Sequence, residues 1–293
     1  MRHALWILFV LLLGCGNSGA TAVEEAPPRD LRLVEKKLDQ LSNQDADPLA
    51  AKALAIEPSK WKHAETDHFI IHYRRATEAQ KVVREIEFDL WFVARSLGAA
   101  KERYAKKSHV YVFQDEAEWK DFLSQTSNPD WFSSFAHGDE LFLHVGGIGE
   151  GFDSHTLAHE TTHAVVARLY PGQRWPRWLN EGFSEYMGSA SVAARKGQWT
   201  KGLQRELTKG TLPLSELTSM KEYPKDREEI HRFYESSEKL SRFLMNEFPK
   251  DRYPQFIDAV AGGMEFEPSI MKVYGDRVKD FASFNKQYER FTK

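Results

Sequence analysis

Hydrophobic and polar positions change rhythm about half-way along the chain. In the first half, short apolar runs alternate with helical spacing: 68–73 (HFIIHY) predicts a strand, 78–98 (EAQKVVREIEFDLWFVARSLG) a long helix closed by Gly98, and 109–113 (HVYVF) a second strand. The segment 116–124 (EAEWKDFLS) reads as a helix. A third strand, 140–145 (ELFLHV), places Leu141, Leu143 and Val145 on one face and Glu140, Phe142 and His144 on the other. Beyond Gly151 the spacing is almost wholly helical, through 278–291 (VKDFASFNKQYERF). This order predicts an α+β fold: a small mixed sheet, with 140–145 as an edge strand, packed on helices and followed by a mainly helical C-terminal half.

Upstream of this body, Leu31, Val34, Leu38 and Leu41 recur at helical spacing and predict a short amphipathic helix before Pro48. Residues 16–28 (GNSGATAVEEAPP) are small, acidic and end in prolines, as in a flexible tether. Arg2 precedes an apolar run of ten residues, Ala4 to Leu13. A membrane span needs roughly 20, so this is the length of a signal-peptide core. The order Leu12-Leu13-Gly14-Cys15 resembles the lipobox of bacterial lipoproteins. That resemblance implies cleavage before Cys15, acylation of Cys15, and a membrane anchor of several acyl chains in the bacterial envelope. Gly16, in place of Asp, points to the outer membrane facing the periplasm. The expected organisation is a signal peptide over 1–14, a lipid-anchored tether and short helix over 15–58, and one folded domain over 59–293.

Composition narrows the function. Hydrophobic residues make up 41% of the chain, enough for a large core and too many for wholesale disorder. Charge is nearly balanced, with 40 Lys and Arg against 43 Asp and Glu, so there is no electrostatic footprint for nucleic acid. The single cysteine, consumed by lipid, leaves none for a disulfide.

The chemistry concentrates in 157–166 (LAHETTHAVV). On a helix capped by Asp153 or Ser154 and stopped at Pro171-Gly172, His159 and His163 project from one face on adjacent turns, about 6 Å apart along the axis, and can share one ion. Glu160, rotated by about 100°, falls beside the ion, where a general base toward water belongs. The H-E-x-x-H pattern arises by chance in a chain of this length with odds of about one in a hundred. A third ligand raises its meaning, because a catalytic zinc takes three protein ligands and keeps an open position. The candidate is Glu181 in 175–187 (WPRWLNEGFSEYM), where Pro176 can start a second helix. Glu185, one turn later, suits the carboxylate that receives the other N–H of His159. Gly182 would let this helix approach the first closely.

Together, H-E-x-x-H and W-L-N-E-G-F-x-E-Y resemble the gluzincins, zinc peptidases of the thermolysin and aminopeptidase N kind. From about Trp61 onward, the strands, the long helix and the run from Tyr234 resemble the bacterial peptidase MA-like families. The resemblance implies a zincin-like fold, one Zn2+ held by His159, His163 and Glu181, Glu160 as general base, and a protein or peptide substrate. It also implies a downstream tyrosine that hydrogen-bonds the developing oxyanion, matched by Tyr234, whose bland reading is a core tyrosine spaced with Ile230. Aminopeptidases of this clan carry Gly-x-Met-Glu-Asn upstream. Here that region reads FAHGDELFLHVGG, which favours an endopeptidase.

Other residues have plainer readings. His155 extends the histidine stripe but lies about 12 Å from His163 along the axis, too far to share an ion, and reads as a solvated helix-start residue. His137 and His144 read as strand histidines. Trp175 and Trp178 are candidates to line the pocket. The rival functions are a catalytically inactive peptidase-like binding module on the envelope and a closed structural zinc site. Intact Glu160 argues against the first, and the lack of further cysteines against the second.

Overall fold

The computed structural model describes residues 31–45, 47–146, 153–198 and 211–291. The expected signal peptide over 1–14, Cys15 and the expected tether over 16–28 lie outside these residues. The chain is α+β, with a mixed six-stranded sheet and a mostly helical C-terminal half.

The sheet is assembled from β1 (Val34–Lys36), β2 (Lys62–Glu65), β3 (Phe69–Tyr73), β4 (Ser108–Phe113), β5 (Ser134–His137) and β6 (Glu140–His144), in the order β1-β2-β3-β4-β6-β5. Pairs β3/β4 and β4/β6 are parallel, and the rest are antiparallel. Between the strands run α1 (Pro48–Ala55), α2 (Ala76–Ser96) and α3 (Glu116–Ser124). Two of the sequence expectations change here. The apolar residues 31–41 form β1 and a short 3-10 turn at Leu38–Gln40 instead of a helix, because β1 gains a full antiparallel register with β2, Val34 opposite Glu65. Tertiary pairing overrides a spacing too short to nucleate a helix by itself. The sheet therefore reaches back well before Trp61. Strand β6, in turn, is flanked on both sides, and the edge beside the helices belongs to β5.

Side-chain alternation gives the sheet two different faces. Phe69, Ile71, Val110, Val112, Leu141 and Leu143 join one core with α2 and the C-terminal helices. Tyr111, Phe113, Phe135 and Phe142 join a second, aromatic core with Trp61, Trp119 and Phe122, covered by α1 and α3.

The second half comprises α4 (Ser154–Leu169), α5 (Arg177–Arg195), α6 (Leu214–Ser219), α7 (Arg227–Asn246), α8 (Arg252–Ala261), α9 (Phe266–Tyr274) and α10 (Phe281–Phe291). Helix α4 packs on α2 and β5, α5 on α4, and α7 on α5. Gly182 sets the last of these contacts: a Cβ there would lie 2.1 Å from the Ser237 carbonyl oxygen of α7. The close approach expected of this glycine is thus made to α7 and not to the histidine helix. Gly188 is the one that faces α4, with the His155 carbonyl oxygen 3.2 Å from where its Cβ would be.

Candidate metal centre

Helix α4 begins at Asp153, whose carboxylate accepts from the His155 N–H at 3.0 Å and from the Thr156 hydroxyl at 2.8 Å. Such a cap is worth about 1 kcal/mol and fixes the phase of the helix. In that phase His159 and His163 meet edge to face, with their Nε2 atoms 2.9 Å apart. Helix α5 starts after Pro176 and brings Glu181 across, its Oε2 lying 3.5 Å from His159 Nε2 and 3.4 Å from His163 Nε2.

The far nitrogens have oxygen neighbours too. His159 Nδ1 is 3.3 Å from Glu185 Oε1, and His163 Nδ1 is 3.1 Å from the Ser184 hydroxyl. A carboxylate oxygen beside one Nδ1 and a hydroxyl beside the other suit a tautomer with the ring proton on Nδ1. In that tautomer both Nε2 atoms carry lone pairs facing one point, where they could share an ion. The donor set fits zinc. A tetrahedral ion with bonds of about 2.0–2.1 Å has ligand atoms about 3.3–3.4 Å apart, and the three observed separations of 2.9, 3.4 and 3.5 Å bracket that value. Among the described residues, His159, His163 and Glu181 form the one group of histidine, cysteine or carboxylate side chains able to hold a metal ion.

Electrostatics agree with the geometry. Burial works against a charged His159, yet hydrogen bonds to Glu181 and Glu185 and the charge of Glu160 outweigh it and push its pKa up to about 10. Burial likewise opposes ionisation of Glu181, but His163 and His159 hold its carboxyl well below the usual range. The carboxylates thus favour positive charge at this point, which a proton or a metal ion can supply.

Glu160 lies on the cavity side of α4, where its Oε2 accepts the Ala136 N–H of β5 at 2.9 Å. Burial raises its carboxyl above the ordinary value, with His159 and His163 opposing. Tyr234, in the first half of α7, is half-buried on the same cavity. Burial, then the charge of Glu181, keeps its phenol protonated far above neutral pH. The cavity measures about 1770 Å³ and takes its walls from the loop before β5, from β5, α4, the start of α5, the loop after α6 and α7. Small-molecule sites span about 300–1,000 Å³, so this one has room for a polypeptide segment.

The other candidates separate. His155 is half-buried on the cavity wall with Nε2 3.5 Å from Glu185 Oε2, and not solvated at the helix start. His137 is exposed, 3.5 Å from Asp47, and His144 stacks on Trp119; neither lines the large cavity. Trp175 does line it, whereas Trp178 is buried against Phe256 and Phe266. Sequence reasoning missed Ser184 and Tyr223. Ser184 sits three residues after Glu181 at helical spacing, a signal that was present. Tyr223 lies in a loop 42 residues from Glu181, whose Oε1 accepts its hydroxyl, and no local pattern marks it.

Comparison with known proteins adds no relative: no family model matches the chain, and no curated protein matches its sequence.

Proposed function

We propose that the chain is a zinc-dependent metallopeptidase of the gluzincin kind, with a zincin-like fold, that hydrolyses peptide bonds of proteins or peptides in the bacterial envelope. The observation that carries this reading is the Glu160 carboxylate, placed beside the His159–His163–Glu181 group on the wall of a cavity of about 1770 Å³. His159, His163 and Glu181 would hold the zinc, which when bound would supply Lewis acidity towards a carbonyl and would lower the pKa of water from 15.7 towards roughly 7.

The rest of the chemistry belongs to the chain. Glu160 takes the proton of the attacking water and returns it to the leaving amine, and a carboxylate whose burial raises its pKa suits both transfers. Tyr234 donates a hydrogen bond to the carbonyl oxygen, and that bond strengthens as the oxygen becomes anionic. The Ala136 N–H, which meets Glu160, points away from β6. The open edge of β5 therefore faces the cleft, where an extended substrate can add as a strand while pockets read its side chains. Strand β6, with both neighbours in place, does not offer that edge. A cleft of this size and the absence of a Gly-x-Met-Glu-Asn segment favour an endopeptidase.

Peptide-library cleavage by the purified chain, with and without a chelator, tests the reading. Cleavage lost on chelation and restored by zinc is the expected result. Zinc binding without cleavage of any peptide would leave a binding module. The address rests on the lipobox-like 12–15: Cys15→Ser should release the protein from membranes, and unchanged fractionation would refute the anchor.

A further inference from the structure

We infer that Tyr223 is a positioning residue for the metal centre, holding one oxygen of Glu181 so that the carboxylate meets the ion through the other oxygen alone. This rests on the reading above that His159, His163 and Glu181 hold a metal.

The two oxygens of Glu181 have different partners. Oε2 faces both imidazoles, at 3.4 and 3.5 Å, while Oε1 accepts the Tyr223 hydroxyl. A carboxylate with both oxygens free can bind a metal through one or two of them, and the second would fill the position that water or substrate needs. A phenol donating to Oε1 engages that oxygen and fixes the plane of the carboxylate. Partners of this kind orient ligands throughout metal sites.

Tyr223 is 39% exposed, on the loop between α6 and α7, where a side chain with no further hold would be mobile. It is held on several sides. The Arg177 guanidinium lies over its ring, 4.4 Å from the centre, and Arg177 Nε donates to the Lys221 carbonyl at 2.7 Å. A further guanidinium nitrogen is 3.3 Å from Glu222. The ring runs parallel to that of Tyr234, 9° and 6.4 Å apart, and meets Phe233 at its edge. Arg177 stands one turn before Glu181 on α5. One helix therefore carries both the ligand and the clamp for the ligand's partner. The two stacked tyrosines divide the work: Tyr223 serves the ligand, and Tyr234 remains for substrate.

The test is Tyr223→Phe, which keeps the ring, its stacking and its contact with Arg177 and removes only the hydroxyl. Zinc affinity, measured by competition with a chromogenic chelator, should fall by the 10–100-fold that follows loss of a ligand's partner. Cobalt-loaded protein should show weaker d–d absorption, as Glu181 swings to two-oxygen binding and the coordination number rises. Arg177→Gln, which loosens the loop, should weaken zinc in the same direction by a smaller factor. Zinc affinity of Tyr223→Phe within twofold of the parent, with an unchanged cobalt spectrum, would overturn the assignment. A parent chain that binds no zinc would instead remove the reading on which it stands.

Discussion

Imidazole nitrogens approach within 3 Å on both sides of the central sheet, and the two places behave oppositely. Against the helical side, His159 and His163 meet at 2.9 Å among Glu160, Glu181 and Glu185 and open on the large cavity. On the other face, His63, His72 and His109 form a row across β2, β3 and β4, with Nδ1–Nδ1 and Nε2–Nδ1 separations of 2.8 and 2.9 Å. His72 and His109 are 1% and 3% exposed, stacked on each other and on Tyr111. Burial, then the neighbouring histidines, pushes His72 well below its ordinary pKa, and burial lowers His63 and His109. Asp139, Asp45, Glu65 and Lys106 act on His109 only as smaller influences.

Equal contact distances therefore say little about function. Carboxylates around the first pair favour positive charge there, whereas apolar and aromatic neighbours around the row favour neutral rings that pass single protons between nitrogens. The row is also linear: it offers no third ligand converging on one point, which a zinc site needs.

Three variants sharpen this contrast. The largest effect is expected from Glu160→Gln, which keeps all three ligands but cannot accept a proton. Turnover should fall at least 10²–10⁴-fold with zinc retained, as read from steady-state kinetics and metal content on one preparation. Tyr234→Phe should lose roughly 10²–10³-fold in turnover while the Michaelis constant changes little. If turnover stays near the parent value and only about 1 kcal/mol of stability is lost, Tyr234 is a packing residue. The smallest effect belongs to the far face. His72→Phe keeps a flat ring in the stack but strips partners from His63 and His109, at a cost of about 1–3 kcal/mol in denaturant unfolding, with zinc content unchanged.

The far-face row also sets a pH dependence. These histidines have folded pKa values below the unfolded value of about 6.5, so the unfolded chain binds more protons once the pH falls through that value. Their contribution to stability is full above about pH 6.5 and drops as the pH falls towards the folded values, by up to about 1.4 kcal/mol per histidine per pH unit. His72→Phe should flatten that slope in urea titrations between pH 7 and 5, and an unaltered slope would show that other groups carry it.

What could be read in advance follows the range of the interactions involved. The grouping of His159, His163 and Glu181 was legible because four-residue spacing on one helix is local, and Glu181 and Glu185 repeat that spacing on the next. Strands β3, β4 and β6 announced themselves as apolar runs. Short β1, β2 and β5 did not, since three or four residues make no period and their pairing is decided across the sheet. The same limit hid the histidine row, which exists only through the registers His63 with His72 and Ile70 with His109. It also hid Tyr223, delivered to Glu181 by a loop, and the direction of Gly182, which depends on where α7 packs.

The most direct measurement of the central claim is zinc stoichiometry by mass-spectrometric metal analysis, on the parent chain, Glu181→Gln and His72→Phe prepared side by side. One zinc per chain in the parent and in His72→Phe, with occupancy largely lost in Glu181→Gln, is the expected result. Full occupancy in Glu181→Gln, or loss of zinc in His72→Phe, would contradict it.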